Sequence, residues 1–147
     1  MILEETIEEE QPVEIPPERR RVYADKSDRS IYELFRKFQR GDLILDPEFQ
    51  RRYVWDNKKA SLLIESVLLE VPIPVIYLAE EDNSKFTVID GQQRLRSFFR
   101  FLNNEFKLRG LSVLSELNGK YFKDLDKEKQ RKIEDTTLSE MPSPHKK

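Results

Sequence analysis

The chain has 147 residues, 37% of them hydrophobic and 37% charged, a composition that suits one soluble globular domain. Its net charge of −2 provides no global basic field that would attract nucleic acid. It contains no cysteine and a single histidine, His145 in a terminal Pro/Ser/Lys stretch, which excludes disulfides and a Cys-based zinc site and argues against histidine-centred catalysis. No apolar run approaches the ~20 residues of a membrane span, and the acidic N-terminus is unlike a signal peptide, so we expect a cytoplasmic protein without membrane contact.

The N-terminal stretch is acidic and rich in proline. Seven glutamates lie between Glu4 and Glu18, together with three prolines. Such a stretch cannot bury enough apolar surface to offset the entropy lost on ordering, so we predict a disordered arm over residues 1–25. An alternative is that this arm covers a basic groove or a partner. A globular domain is predicted over residues 26–138, followed by a flexible polar tail over residues 139–147.

The first predicted element of the domain is a helix that begins with a capping box. The Ser30 side chain can cap the helix start while Glu33 reaches back to the Ser30 backbone. The helix is expected to run to Arg40 and to stop at Gly41. Residues 43–45 then read as a short buried strand.

A second helix is predicted from Asp56, which can cap it, to about Leu69. Apolar residues at helical spacing form its inner face, namely Ala60, Leu63, Ile64, Val67 and Leu68. Glu65 and Ser66 are assigned to its other faces.

Strands are predicted at residues 75–79 and 85–89, joined by a hairpin connection at residues 82–84. Residues 105–109 alternate between polar and apolar types, which also predicts a strand. A last helix, capped by Asp126, is expected over residues 127–134.

The central motif lies where the strand that contains Val88 and Ile89 meets a helix. Leu95, Phe98, Phe99 and Leu102 give that helix one apolar face, whereas Asp90, Gln92, Gln93 and Arg94 crowd its start. A helix N-terminus presents unpaired N–H groups and a partial positive charge, and Gly91 lets a ligand approach the backbone. Arg94 stands one residue off the apolar face and can pair with phosphate or carboxylate. The alternative is a plain turn in which an aspartate caps the helix.

A second unusual stretch is Phe49-Gln-Arg-Arg-Tyr-Val-Trp55, where three consecutive polar residues lie between aromatic ones without a helical or strand period. One interpretation is that Tyr53 and Trp55 fill the core while the arginines are solvated. The other is that Gln50 and Arg51 enter the same pocket as Arg94.

Asp90-Gly-Gln-Gln-Arg94 resembles the signature of the DGQQR domain family, the N-terminal domain of GmrSD-type modification-dependent restriction systems. Three further segments are similar to that family in order and spacing, namely residues 49–55, 62–68 and 72–77. The resemblance covers roughly residues 30–138. It implies an α+β fold of the ParB/sulfiredoxin-like type, with a small mixed sheet and packed helices.

The resemblance also implies a function, namely an NTP-binding domain of a bacterial restriction or anti-phage defence protein, with Mg²⁺-dependent NTP hydrolysis as a further expectation. Family members commonly continue into a nuclease domain that these 147 residues do not contain. The chain is therefore not expected to be a nuclease on its own, and its expected partners are an NTP and either DNA or a nuclease protein. The competing interpretation is a ParB-like nucleic-acid-binding module without NTPase activity.

The expected site residues follow from this interpretation. The backbone N–H groups of Gly91 and Gln92 cradle phosphate and Arg94 supplies positive charge. Asp90 holds Mg²⁺ through water or orients the hydrolytic water, and Gln92 or Gln93 positions a water or a base edge. In the family that the chain resembles, the loop with Gln50 and Arg51 lines the nucleotide pocket. The sequence lacks a Gly-Lys-Ser/Thr loop, so this would not be a P-loop enzyme.

Overall fold

The structure is a computed structural model, and it describes residues 27–46 and 55–142. These residues form five strands and four α-helices, in the order β1 (Ser27–Ser30), α1 (Ile31–Gln39), β2 (Leu43–Ile44), α2 (Asn57–Leu68), β3 (Ile76–Glu80), β4 (Phe86–Asp90), α3 (Gln92–Leu102), α4 (Lys127–Asp135) and β5 (Thr137–Pro142). None of the described helices is long and apolar enough to cross a membrane.

The five strands form one mixed sheet in the order β1-β5-β3-β4-β2. The β1/β5 and β3/β4 pairs are antiparallel, and the β5/β3 and β4/β2 pairs are parallel. The predicted α+β class with a small mixed sheet is therefore confirmed. The likeness to the ParB/sulfiredoxin fold stays a prediction.

Three helix starts agree with the capping residues predicted from sequence. Ser30 Oγ accepts from Glu33 N at 3.0 Å, and Glu33 Oε1 accepts from Ser30 N at 2.9 Å, which completes the capping box. Asp56 accepts from Lys59 N, and Asp126 accepts from Lys129 N. Each cap satisfies an N–H group that the helix itself cannot pair.

The core lies between the sheet and the helices, with α2 packed against α3 and α4. All five residues of the predicted α2 inner face are buried, as are the four apolar residues predicted for α3. Phe101 of α3 also packs against Phe106, with ring centroids 5.4 Å apart. The otherwise polar α4 contributes one buried apolar residue, Ile133, to this core.

The structure corrects the predicted C-terminal boundary. β5 continues to Pro142 and lies between β1 and β3, so residues 139–142 belong to the sheet and not to a tail. Three of its six residues are polar, and the neighbouring polar strand β1 supplies a partner for one of them: Ser139 Oγ donates to Asp28 Oδ1 at 3.0 Å. The predicted arm over residues 1–25 and residues 143–147 lie outside the described residues.

One further local prediction was wrong. Residues 105–109 form no strand: Leu108 bonds Gly119 and Lys120, but Glu105 N donates to Arg100 O and Arg109 N donates to Ser61 Oγ. Glu65 and Ser66 lie on other faces of α2 than the predicted apolar face and are nevertheless buried, and Glu65 Oε2 accepts from Val113 N at 3.0 Å and Leu114 N at 2.8 Å. The chain after α3 covers this side of α2, which the period of one helix cannot reveal.

Candidate functional site

The candidate site is the turn at which β4 ends and α3 begins. Gly91 makes this turn with φ 101°, in the left-handed region that favours glycine. A Cβ on Gly91 would lie 3.1 Å from Arg94 Nη2 and 3.1 Å from Ile76 Cγ1. The turn therefore requires glycine for its backbone angle and for its close contact with two buried side chains.

The start of α3 differs from the other helix starts. Gly91 is its N-cap residue, and within the described residues no side chain caps it. The interpretation in which Asp90 merely caps the helix is therefore wrong. Asp90 instead ends β4 as a half-buried carboxylate beside the positive end of the α3 dipole.

The two glutamines of the motif hold the flanks of the segment 47–54. Gln92 Oε1 accepts from Asp46 N at 2.8 Å, and Gln93 Oε1 accepts from Trp55 N at 3.1 Å. Both glutamine side chains are buried. The first turn of α3 thus fixes the residues on either side of this segment. This use of the amide oxygens is not among the predictions from sequence, although two adjacent glutamines at a helix start are a signal for it.

Two predicted site residues, Gln50 and Arg51, belong to the segment 47–54 and lie outside the described residues. The described residues on either side of that segment, Asp46 and Trp55, are bound by Gln92 and Gln93.

Gln93 has a donor that its hydrogen bond to Trp55 leaves unused. Its side chain is 9% exposed, and Nε2 is buried with no hydrogen-bond partner among the described residues. Trp55 N–H is a donor, so the amide oxygen must face it and the nitrogen must point elsewhere.

Arg94 is fully buried, at 0% exposure. Its Nη2 donates to Val75 O at 3.1 Å and lies against Gly91. The prediction that Arg94 stands clear of the packing was wrong, because the side chain folds back under the turn and contributes to the core. It nevertheless places a fixed positive charge directly behind the start of α3.

A metal at this site would depend on oxygen atoms beyond those of the described side chains. Among the described residues, no group of three His, Cys, Asp or Glu side chains could hold a metal ion. Asp90 is thus the one predicted metal ligand at the turn, and the remaining positions around Mg²⁺ would belong to water and to a bound phosphate.

Several basic side chains lie on or beside the packed helices α2 and α3. Arg100 Nη2 donates to Asn57 Oδ1 at 2.9 Å, and burial together with the charge of nearby Arg96 lowers the pKa of Arg100. Lys58 lies against Gly110, next to the exposed Arg109. We refer to Lys58, Arg96, Arg100 and Arg109 as the α2–α3 basic face.

A comparison with protein-family models matched residues 31–141 to the family described as GmrSD restriction endonuclease, N-terminal domain. Comparisons with curated proteins and with solved structures found no significant match.

Proposed function

The chain belongs to the family of GmrSD restriction endonuclease N-terminal domains, and from that membership and the geometry of the α3 turn we propose that it binds a nucleoside triphosphate at the start of α3. The family places the chain in a restriction system. Nucleotide binding would give such a system a regulatory or sensing input.

The observation that carries this proposal is the start of α3 behind Gly91, which no side chain among the described residues caps. Its first-turn N–H groups require acceptors, and the helix dipole favours negative charge at this end. Phosphate oxygens meet both requirements. The buried Arg94 guanidinium adds positive charge from behind the turn.

We assign the following roles within this proposal. The backbone N–H groups of Gly91 and Gln92 bind phosphate oxygens, and Arg94 stabilises their charge without leaving the core. Gln50 and Arg51 close the pocket from the segment whose flanks the two glutamines hold.

The proposal extends to hydrolysis through Asp90. A carboxylate beside a triphosphate is repelled unless a cation or a water proton lies between them, so Asp90 would hold Mg²⁺ or orient the attacking water. Gln93 helps to place that water. DNA cleavage would then be the task of a nuclease partner.

A second candidate function, binding of a nucleic-acid backbone, is favoured by the α2–α3 basic face. Residues 1–18 contain seven glutamates and neither lysine nor arginine, so the rest of the chain has a net positive charge despite the overall −2. Arg100 of this face is paired with Glu105, and the other three basic side chains can neutralise a few phosphates, which is the main driving force of sequence-independent binding.

Thermal unfolding of the full chain with each of the four NTPs, with and without Mg²⁺, tests the proposal. A nucleotide at 100 times its Kd should raise the free energy of unfolding by about 2.7 kcal/mol, a shift of roughly 5–10 °C for a domain of this size. The same samples are titrated with a DNA duplex over a range of salt concentrations. Salt-sensitive DNA binding without a shift by any NTP would favour the second candidate and contradict the first.

A further inference from the structure

We infer that Gln93 couples ligand binding to the position of Trp55, with Nε2 donating to a phosphate oxygen of the bound nucleotide while Oε1 holds Trp55 N–H. This inference rests on the proposed function and adds a role for one side chain that touches both the ligand and the flank of the segment 47–54.

The first step is the orientation of the Gln93 amide. Trp55 N lies 3.1 Å from Gln93 Oε1, and a backbone N–H can only donate, so the oxygen is fixed on the Trp55 side. The nitrogen then faces away from Trp55. A flipped amide would set two donors against each other and is excluded.

The second step is the missing acceptor. Gln93 Nε2 is buried, and no described residue accepts a hydrogen bond from it. A buried donor without an acceptor costs on the order of 1–3 kcal/mol, so a protein keeps one only where another interaction repays the cost. An incoming ligand oxygen would remove this penalty.

The third step identifies the ligand chemistry. Gln93 is the second residue of α3, on the first turn, which no side chain in the described part of the chain caps. The N–H groups of that turn and Gln93 Nε2 are all donors, so the ligand that satisfies them together must offer several acceptor oxygens and negative charge. A polyphosphate has both properties, and its oxygens can bridge the helix start and the amide.

The consequence concerns Trp55. A ligand bound to Nε2 would fix the orientation of the Gln93 amide and so stabilise the hydrogen bond that Oε1 accepts from Trp55 N–H. By thermodynamic reciprocity, a fixed Trp55 would in turn favour the ligand. Trp55 is the single tryptophan of the chain, and Lys59 Nζ lies 4.8 Å from its ring centroid, so its fluorescence reports this coupling directly.

Gln92 provides a matched control. It lies on the same turn and accepts from Asp46 N as Gln93 accepts from Trp55 N, but its amide nitrogen is not a buried donor without a partner. Gln93→Glu and Gln92→Glu therefore add the same negative charge at nearly the same place. Each variant also keeps a side-chain oxygen that can accept from the backbone N–H of Trp55 or Asp46. Only Gln93→Glu removes the unpaired donor.

The experiment titrates the full-length wild type and both variants with ATP, GTP, CTP, UTP and inorganic tripolyphosphate, followed by Trp55 fluorescence with excitation at the red edge of tryptophan absorption. We expect ligand to change the Trp55 emission of the wild type and the ligand-free emission of all three proteins to be the same. Gln93→Glu should weaken binding about tenfold more than Gln92→Glu and abolish the Trp55 response. Gln93→Met, which removes both contacts, should change the ligand-free emission as well.

The outcomes separate this inference from the proposed function. If the wild type binds neither nucleotide nor tripolyphosphate, the proposed function fails and this inference fails with it. If the wild type binds but Gln93→Glu and Gln92→Glu weaken binding equally, charge alone explains the effect and only the role of Gln93 is overturned. If Gln93→Glu does not fold, Gln93→Met and Gln92→Met replace the pair, and equal affinities would contradict the inference.

Discussion

At the scale of single residues, Gly91 has little freedom to change, because its backbone angle and its buried surroundings both oppose a side chain. We expect Gly91→Ala to lower the free energy of unfolding by more than the ~1–2 kcal/mol that a left-handed non-glycine residue costs by itself. Gly119→Ala is the matched control, since Gly119 has φ 89° with nothing within 4 Å of a Cβ. Urea denaturation of both variants measures the difference, which equals the cost of crowding Arg94 and Ile76. Equal losses would contradict this description of the turn.

Arg94→Ala should destabilise the domain as well as weaken anion binding. The side chain is fully buried and donates to Val75 O, so its removal leaves a cavity and an unpaired carbonyl. The expected loss is about 3 kcal/mol or more by denaturant unfolding. Arg131→Ala, at an exposed position of α4, should change stability by less than about 0.5 kcal/mol. If Arg94→Ala is as stable as the wild type, the guanidinium group of Arg94 does not contribute to the core.

Asp90→Asn separates binding from chemistry. Because Asp90 does not cap α3, this substitution removes a charge and leaves the helix start unchanged. Nucleotide free of Mg²⁺ should bind as well or better, the benefit of added Mg²⁺ should disappear, and any NTP turnover should be lost. Calorimetric titration with and without Mg²⁺ and a phosphate-release assay measure these effects. Unchanged Mg²⁺ dependence and turnover would remove Asp90 from the mechanism.

At the scale of secondary-structure elements, α2 illustrates how a pattern along one helix can mislead. Its predicted apolar face is buried as expected, but Glu65 on another face is buried too, because its carboxylate binds the N–H groups of Val113 and Leu114. A carboxylate that accepts two backbone N–H groups replaces the water that it loses on burial. The segment that covers it comes from a distant part of the chain.

The strand β5 makes stability depend on pH through Glu140. Burial raises the pKa of Glu140 above its usual 4.5, although Arg29 and Ser27 act in the opposite direction. The folded protein therefore holds this proton more tightly than the unfolded chain does. The stability that protonation contributes is complete below pH 4.5 and is lost as the pH rises through the raised pKa.

Glu140→Gln tests this dependence. The glutamine does not titrate, so the free energy of unfolding of the variant should improve relative to the wild type as the pH rises from 4 to 8, as measured by urea denaturation across that range. At the upper end of this pH range, loss of the ion pair between Arg29 and residue 140 opposes this gain in stability. Glu80→Gln, at an exposed position of β3, should follow the wild-type curve. If the Glu140→Gln curve also runs parallel to the wild type, Glu140 does not control the pH dependence.

At the scale of the whole molecule, we expect the pure chain not to cleave DNA. Metal-assisted nucleases need clustered histidine or carboxylate ligands, and the described residues contain no group of three that could bind a metal. Gel analysis of plasmid DNA with and without base modifications, incubated with Mg²⁺ or Mn²⁺ and an NTP, checks this expectation. Reproducible cleavage that co-purifies with the chain through two further columns would contradict it.

Local signals in the sequence determined the helices, their caps and the place of the candidate site. Ser30, Asp56 and Asp126 each cap a helix where the sequence predicts it, because capping depends on side chains within three residues of the helix start. The turn at Asp90-Gly91 and the apolar face of α3 are equally local. The four motifs in order also sufficed to indicate the family.

The tertiary structure alone decided the place of β5, the burial of Glu65 and Arg94, and the contacts of Gln92 and Gln93. Each depends on a partner far away along the chain: β1 for β5, the segment after α3 for Glu65, Val75 for Arg94, and Asp46 and Trp55 for the glutamines. A polar residue is exposed or buried according to whether such a partner satisfies its hydrogen bonds, and a periodic pattern contains no information about that partner.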